Sequence, residues 1–147
     1  MPRRAGLALA MLAGLGLPAE AAKLLAVSGT EAQGYARIAF TFDGAVSIKA
    51  RLSGGVLVLN YDERTEAGPE RLVSELPGYL AAVRRDPDGS GLRLALQRPI
   101  RVNVQEAGEK VFVDLLPENW TALPPPLPPD VVADLARRAR AAEAILK

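Results

Sequence analysis

Any acid–base chemistry in this chain falls to carboxylates, because its 147 residues include no histidine and no cysteine. Without imidazole there is no Ser-His-Asp or Cys-His constellation and no histidine metal ligand. Without thiols there is no disulfide frame, no Cys-ligated zinc and no iron–sulfur cluster. The acids of interest are Asp43, Asp62, Asp86, Asp88, Asp114, Glu63, Glu66 and Glu118. Glycoside hydrolysis needs two carboxylates in a cleft, one with a raised pKa. Here most acids sit in turns or at strand ends, where capping and solvation account for them. Asp86-Pro87-Asp88-Gly89 invites a calcium reading, but an EF-hand loop started at Asp86 would place Ser90 at its fifth position and Gln97 at its twelfth, where a Glu is required. That run reads as a β-turn, and Ser53-Gly54-Gly55 as a hairpin turn rather than a phosphate loop. The sequence thus offers no catalytic constellation, no metal site and no cofactor site, and the chain reads as a non-enzyme. A carboxylate-dependent cell-wall hydrolase is the catalytic alternative.

Binding chemistry falls to guanidinium and amide groups. Lys and Arg number 18 against 17 acids, a formal charge of +1. Such a balance argues against a nucleic-acid partner, which calls for a strong basic excess. The residues placed for recognition are Arg37, Lys49 and Arg51 in the first half and Arg93, Arg101 and Asn103 in the second, with Asp114 beside them. Thr41 and Ser47 accompany the first group, and Gln97 and Gln105 the second. Arg binds carboxylates in bidentate fashion, so faces of this kind suit an acidic, carbohydrate-rich polymer. The plainer reading is that outward residues of any solvated sheet are polar. Tyr35, Tyr61 and Tyr79 read as core-edge residues, and Trp120 as a plug for the end of the fold.

The elements that position these groups are strands. Arg37-Ile-Ala-Phe-Thr-Phe42, Leu92-Arg-Leu-Ala-Leu-Gln97 and Ile100-Arg-Val-Asn-Val-Gln105 alternate apolar with polar, the pattern of half-buried antiparallel strands. Val56 to Leu59 and Val111 to Val113 are continuous apolar runs, which mark more deeply buried strands. The strands come in two copies. A shift of 56 residues lays Leu24 on Leu80, Arg37 on Arg93 and Val46 on Val102, with six identities in the 25 positions of residues 24–48. A one-residue gap then sets Val56-Leu-Val58 on Val111-Phe-Val113. Each copy reads as a four-stranded meander, and two such meanders stacked face to face form an all-β sandwich over one shared core. Pro69 to Leu76, between the copies, reads as a short helix stopped by Pro77-Gly78.

The ends carry other signals. Arg3 and Arg4 precede fifteen uncharged residues, Ala5 to Ala19, and then Ala19-Glu20-Ala21. That is the layout of a cleaved signal peptide over residues 1–21, too short to read as a membrane span. Cleavage there removes two basic residues and one acid, leaving 16 of each sign. Export into the cell envelope, periplasmic or secreted, follows, with no stable membrane span. Residues 119–129 hold five prolines between Ala122 and Pro129 and read as a stiff spacer. Residues 130–147 read as an amphipathic helix with Val131, Leu135, Ala139, Ala142 and Leu146 on one face.

Arg37-Ile-Ala-Phe-Thr-Phe42 and Lys110-Val-Phe-Val-Asp-Leu-Leu-Pro117 resemble the two short motifs of the AMIN domain. Arg37 and Arg93 match that family's strand-opening Arg in both copies, and Asp114 matches the Asp of the second motif. Thr41 and Gln97 stand where the first motif often has an acid, and Lys110 replaces Arg. The resemblance implies a pseudo-symmetric β-sandwich over residues 22–118 that localises envelope proteins to peptidoglycan. The chain also looks like the amino-terminal module of longer envelope proteins with helical repeats. The expected partner is peptidoglycan or an envelope protein, and the alternative to polymer binding is a periplasmic adaptor acting through the C-terminal helix.

Overall fold

The computed structural model describes residues 22–32, 34–61 and 68–146; the signal-peptide segment, Asp62, Glu63 and Glu66 lie outside them. Eight strands form two antiparallel four-stranded sheets. The first sheet contains β1 (Leu24–Ala32), β2 (Tyr35–Phe42), β8 (Lys110–Pro117) and β7 (Ile100–Ala107), in that order. The second contains β3 (Lys49–Ser53), β4 (Val56–Asn60), β6 (Gly91–Leu96) and β5 (Leu80–Arg85), in that order. Helix α1 spans Leu72–Glu75 and helix α2 spans Pro129–Leu146. No helix among the described residues is long and apolar enough to cross a membrane.

The sandwich follows from the alternation. In β2 every second residue is buried, and Ile38, Phe40 and Phe42 meet Leu57, Leu59, Leu92 and Leu94 from the other sheet in one cluster. Each such side chain stabilises the fold by roughly 1.5–3 kcal/mol over leaving it in water. Phe42 and Tyr61 pack edge to face with centroids 5.8 Å apart, a favoured aromatic geometry. Leu72 and Leu76, in and just after α1, reach into this core, while Glu75 accepts a hydrogen bond from the Gly29 N–H at 2.9 Å.

The expectation that each copy makes its own sheet is corrected. Each copy divides into two hairpins, one in each sheet, and β1–β2 lies over β5–β6 while β3–β4 lies over β7–β8, with β3 touching β7 at one edge and α1 touching both β1 and β5 at the other. The switch between sheets is the non-strand stretch 43–48, whose Ile48 is buried in the core. Each hairpin is covered by its counterpart in the other copy, yet every strand is left with an open side. Pairing β2 with β8 and β4 with β6 closes those inner edges. The repeat is therefore an internal two-fold that exchanges the sheets.

The register also removes the proposed gap. Arg37 pairs with Asp114, and Arg93 pairs with Val58, so the shift of 56 continues through β4 and β8. A slip of one residue would have turned each side chain to the opposite face. Leu57 and Val113 are both core residues, as the uninterrupted shift requires. The same irregularity recurs between Leu24 and Ala26 and between Leu80 and Ala82.

Glycine is needed in the β3–β4 turn and at the first residue of β6. Gly54 and Gly55 both have positive φ, 55° and 79°, as a two-residue hairpin whose twist matches its strands demands. Gly91 has φ 153°, and a Cβ there would lie 1.9 Å from the Leu59 carbonyl oxygen.

The Pro-rich segment is not a spacer that holds the helix away. It lies against the outer face of the first sheet, with Pro125 buried, and leads into α2. Val131 and Leu135 pack on Ala39, Ala107 and Phe112. Beyond Arg138 the helix is exposed, and Ile145 and Leu146 are 82% and 86% accessible.

Candidate functional site

The internal two-fold sets two outer faces side by side for comparison, one covered and one open. On the covered face of the first sheet, β2, β8 and β7 bring Arg37, Asp114 and Asn103 into one row. Arg37 Nε donates to Asp114 Oδ1 at 2.6 Å and its Nη2 to Oδ2 at 3.1 Å. Asn103 Nδ2 and Gln105 Nε2 donate to Oδ2 at 3.3 and 3.1 Å. The remaining Arg37 donors reach the carbonyls of Pro126 at 2.8 Å and Pro125 at 3.3 Å, and Gln105 reaches the Pro125 carbonyl at 2.7 Å.

Asp114 is fully buried, so its charge demands this company. Burial disfavours the Arg37 charge, but the hydrogen bond and field of Asp114 outweigh it and hold the guanidinium pKa above its ordinary value. The guanidinium also lies over Phe112, 5.3 Å from the ring centroid. Tyr35 meets Trp120 edge to face at 5.8 Å, so Trp120 lies on this face rather than plugging the end of the sandwich. Arg101, at the sheet edge, donates to the Trp120 carbonyl at 3.1 Å. Tyr61 and Tyr79 are buried in the core cluster.

The second sheet presents the open face. Here the row equivalent to Arg37–Asp114 runs Arg51, Val58, Arg93, Arg84 across all four strands. Val58 stands where Asp114 stands in the other sheet. Arg93 Nε finds Asp86 at 2.9 Å, and its side chain is 54% exposed. Arg51 and Arg84 are exposed and have no carboxylate partner among the described residues. Arg84 and Arg93 are directly opposed, and like charges in that relation are unfavourable. Val56, Ala82 and Ala95 form the low floor beside them, making a shallow groove of about 270 Å³. Lys49 projects one strand-repeat beyond Arg51, opposite Asn60.

A third concavity of about 530 Å³ lies where α2 meets the end of the first sheet. It carries Asp43, Glu109, Asp130 and Asp134 with Lys110, Arg137 and Arg138. Two of these acids are paired with arginines: Arg138 donates to both Glu109 oxygens at 2.6 and 2.8 Å, and Asp134 pairs with Arg137 and Arg138. The Arg138 hydrogen bonds pull the Glu109 pKa down to about 2. Asp86-Pro87-Asp88-Gly89 is a turn, closed by Gly89 N–H on the Asp86 carbonyl at 3.0 Å and by Ser90 N–H on Asp88 at 2.9 Å. No group of three or more potential metal-ligating side chains occurs among the described residues.

No family model matches this chain, and no curated protein matches it either. The geometry therefore has to speak for function unaided. Of the residues singled out from sequence, Arg37, Asn103 and Asp114 meet in one network around the chain's own tail. Arg51 and Arg93 meet in the open row. Lys49 flanks that row, and Arg101 stands apart at the edge of the other sheet. Arg84 was missed, although its signal was present: Leu80-Ala-Ala-Val-Arg-Arg85 places Val83 inward and hence Arg84 outward.

Proposed function

We propose that this chain is an exported, non-catalytic module that holds an anionic polymer of the cell envelope, peptidoglycan, on the outer face of its second sheet. The observation that carries this reading is the row of Arg51, Arg93 and Arg84 on a face that no other part of the described chain covers. Guanidinium groups favour carboxylates because planar forks pair with them bidentately. The signal-like leader and the AMIN-like motifs support the envelope setting. A catalytic role finds less support: Glu109 and Asp134 line the acidic concavity beside α2 but are paired with arginines, and the Glu109 pKa is lowered, the reverse of what a general acid needs.

Sedimentation of the chain with purified sacculi tests the proposal. Wild-type protein should co-sediment at low salt and release as salt rises, since exposed ion pairs are screened. The Arg51→Gln, Arg84→Gln double variant should stay in solution; its continued co-sedimentation overturns the assignment. The adaptor reading also has one observation in its favour, the projecting half of α2 with exposed Ile145 and Leu146. Capture of an envelope protein that is lost on an Ile145→Asp, Leu146→Asp change would support it.

A further inference from the structure

We infer that the open face recognises the peptide part of its polymer: a short extended peptide bearing at least two carboxylates, laid across the strands over the row of arginines. The inference rests on the proposed wall-binding role for the source of that peptide. Its basis is the internal two-fold. Moving each strand four places along the chain turns the order β1-β2-β8-β7 into β5-β6-β4-β3, the second sheet read backwards. The two faces are thus versions of one surface, and the first shows what such a surface binds. There Arg37 and Gln105 donate to the Pro125 and Pro126 carbonyls of an extended segment. Arg37 is neutralised from within by Asp114.

On the second face the guanidinium is retained at Arg93 and the acid is not, because Val58 occupies its place. Two further guanidinium groups, Arg51 and Arg84, join the row. On this face Asp86 supplies one carboxylate to Arg93, and any carboxylate for Arg51 and Arg84 must come with the ligand. Asp86 engages only Nε of Arg93, leaving its terminal nitrogens for a ligand. Arg84 and Arg93 stand on adjacent strands, about 4.8 Å apart, close enough to share one carboxylate and so relieve their mutual repulsion. Arg51 lies two strands from Arg93, about 10 Å away, the reach of about three residues of extended chain. Val56, Ala82 and Ala95 keep the floor low, so a backbone can lie between the arginines.

The test uses the full chain and three soluble probes: acidic stem peptides released from sacculi, the same peptides with their carboxylates amidated, and the peptide-free glycan strands. Binding is read by titration calorimetry. The acidic peptides should bind, amidation should weaken binding at least tenfold, and the glycan strands should not compete. Arg51→Gln and Arg84→Gln should each weaken peptide binding severalfold, with unchanged circular dichroism. Equal binding of amidated peptide, or unaltered binding by the double variant, overturns the inference. Sacculus binding competed by glycan strands alone overturns it while leaving the wall-binding role standing. Peptide binding without sacculus sedimentation supports it and overturns that role.

Discussion

Arg37 and Arg93 are the same residue type at equivalent positions of two copies, and their fates differ because of what stands across the strand. Asp114 accepts from three side chains and has no solvent contact. Removing it strands a guanidinium whose side chain is only 13% exposed, and breaking a buried pair from one side costs about 3–5 kcal/mol. Asp114→Ala should lower unfolding free energy by that amount in urea titration. Arg93→Ala should cost less, about 1 kcal/mol, because the Arg93 side chain is 54% exposed, although Asp86 is only 13% exposed. The alternation made both arginines legible as outward residues. Their partners lie far along the chain, 77 residues from Arg37 to Asp114 against 7 from Arg93 to Asp86, and local pattern does not carry pairings of the first kind.

At the scale of elements, strand positions and turn chemistry were readable, because period two and Gly-rich turns are local properties. Sheet membership was not. A copy whose four strands read as a meander divides between two sheets at a stretch, residues 43–48, that alternates like a strand, with Val46 and Ile48 inward, but belongs to neither sheet. The proline run was readable as extended but not as covered. A signal existed: with Val111, Val113 and Leu115 in the core, Phe112 and Leu116 face outward and need something over them, and both are buried. Gly91→Ala tests the closest backbone approach, since its Cβ would strike the Leu59 carbonyl. It should cost at least about 1–3 kcal/mol, measured by denaturant titration. The docking of α2 has its own pH dependence. Arg138 holds the Glu109 pKa at about 2, below its ordinary 4.5, so the clamp contributes fully above pH 4.5. Its contribution falls as the pH drops toward 2, where the folded-state carboxylate takes up its proton. Hydrogen-exchange protection factors in α2, corrected for the intrinsic rate at each pH, should fall over that range, and Glu109→Gln should abolish the change.

For the whole molecule, the internal two-fold gives the account its direction. One copy of the surface is occupied by the chain's own tail and internally neutralised, while the other is open, cationic and missing its acid. Exposed cations of this kind attract a ligand over a Debye length of about 8 Å at physiological salt, so the affinity for an acidic ligand should fall steeply as sodium chloride rises. The absence of histidine and cysteine, which left only carboxylate chemistry, is consistent with a molecule whose acids cap turns and pair with arginines. The most direct measurement is a backbone amide chemical-shift map of the full chain titrated with soluble acidic stem peptides. Shifts should concentrate at Arg51, Val58, Arg84, Arg93 and Ala95, with Asn103, Gln105 and Asp114 unmoved. Shifts confined to the covered face or to the concavity beside Glu109 and Asp134 would contradict it.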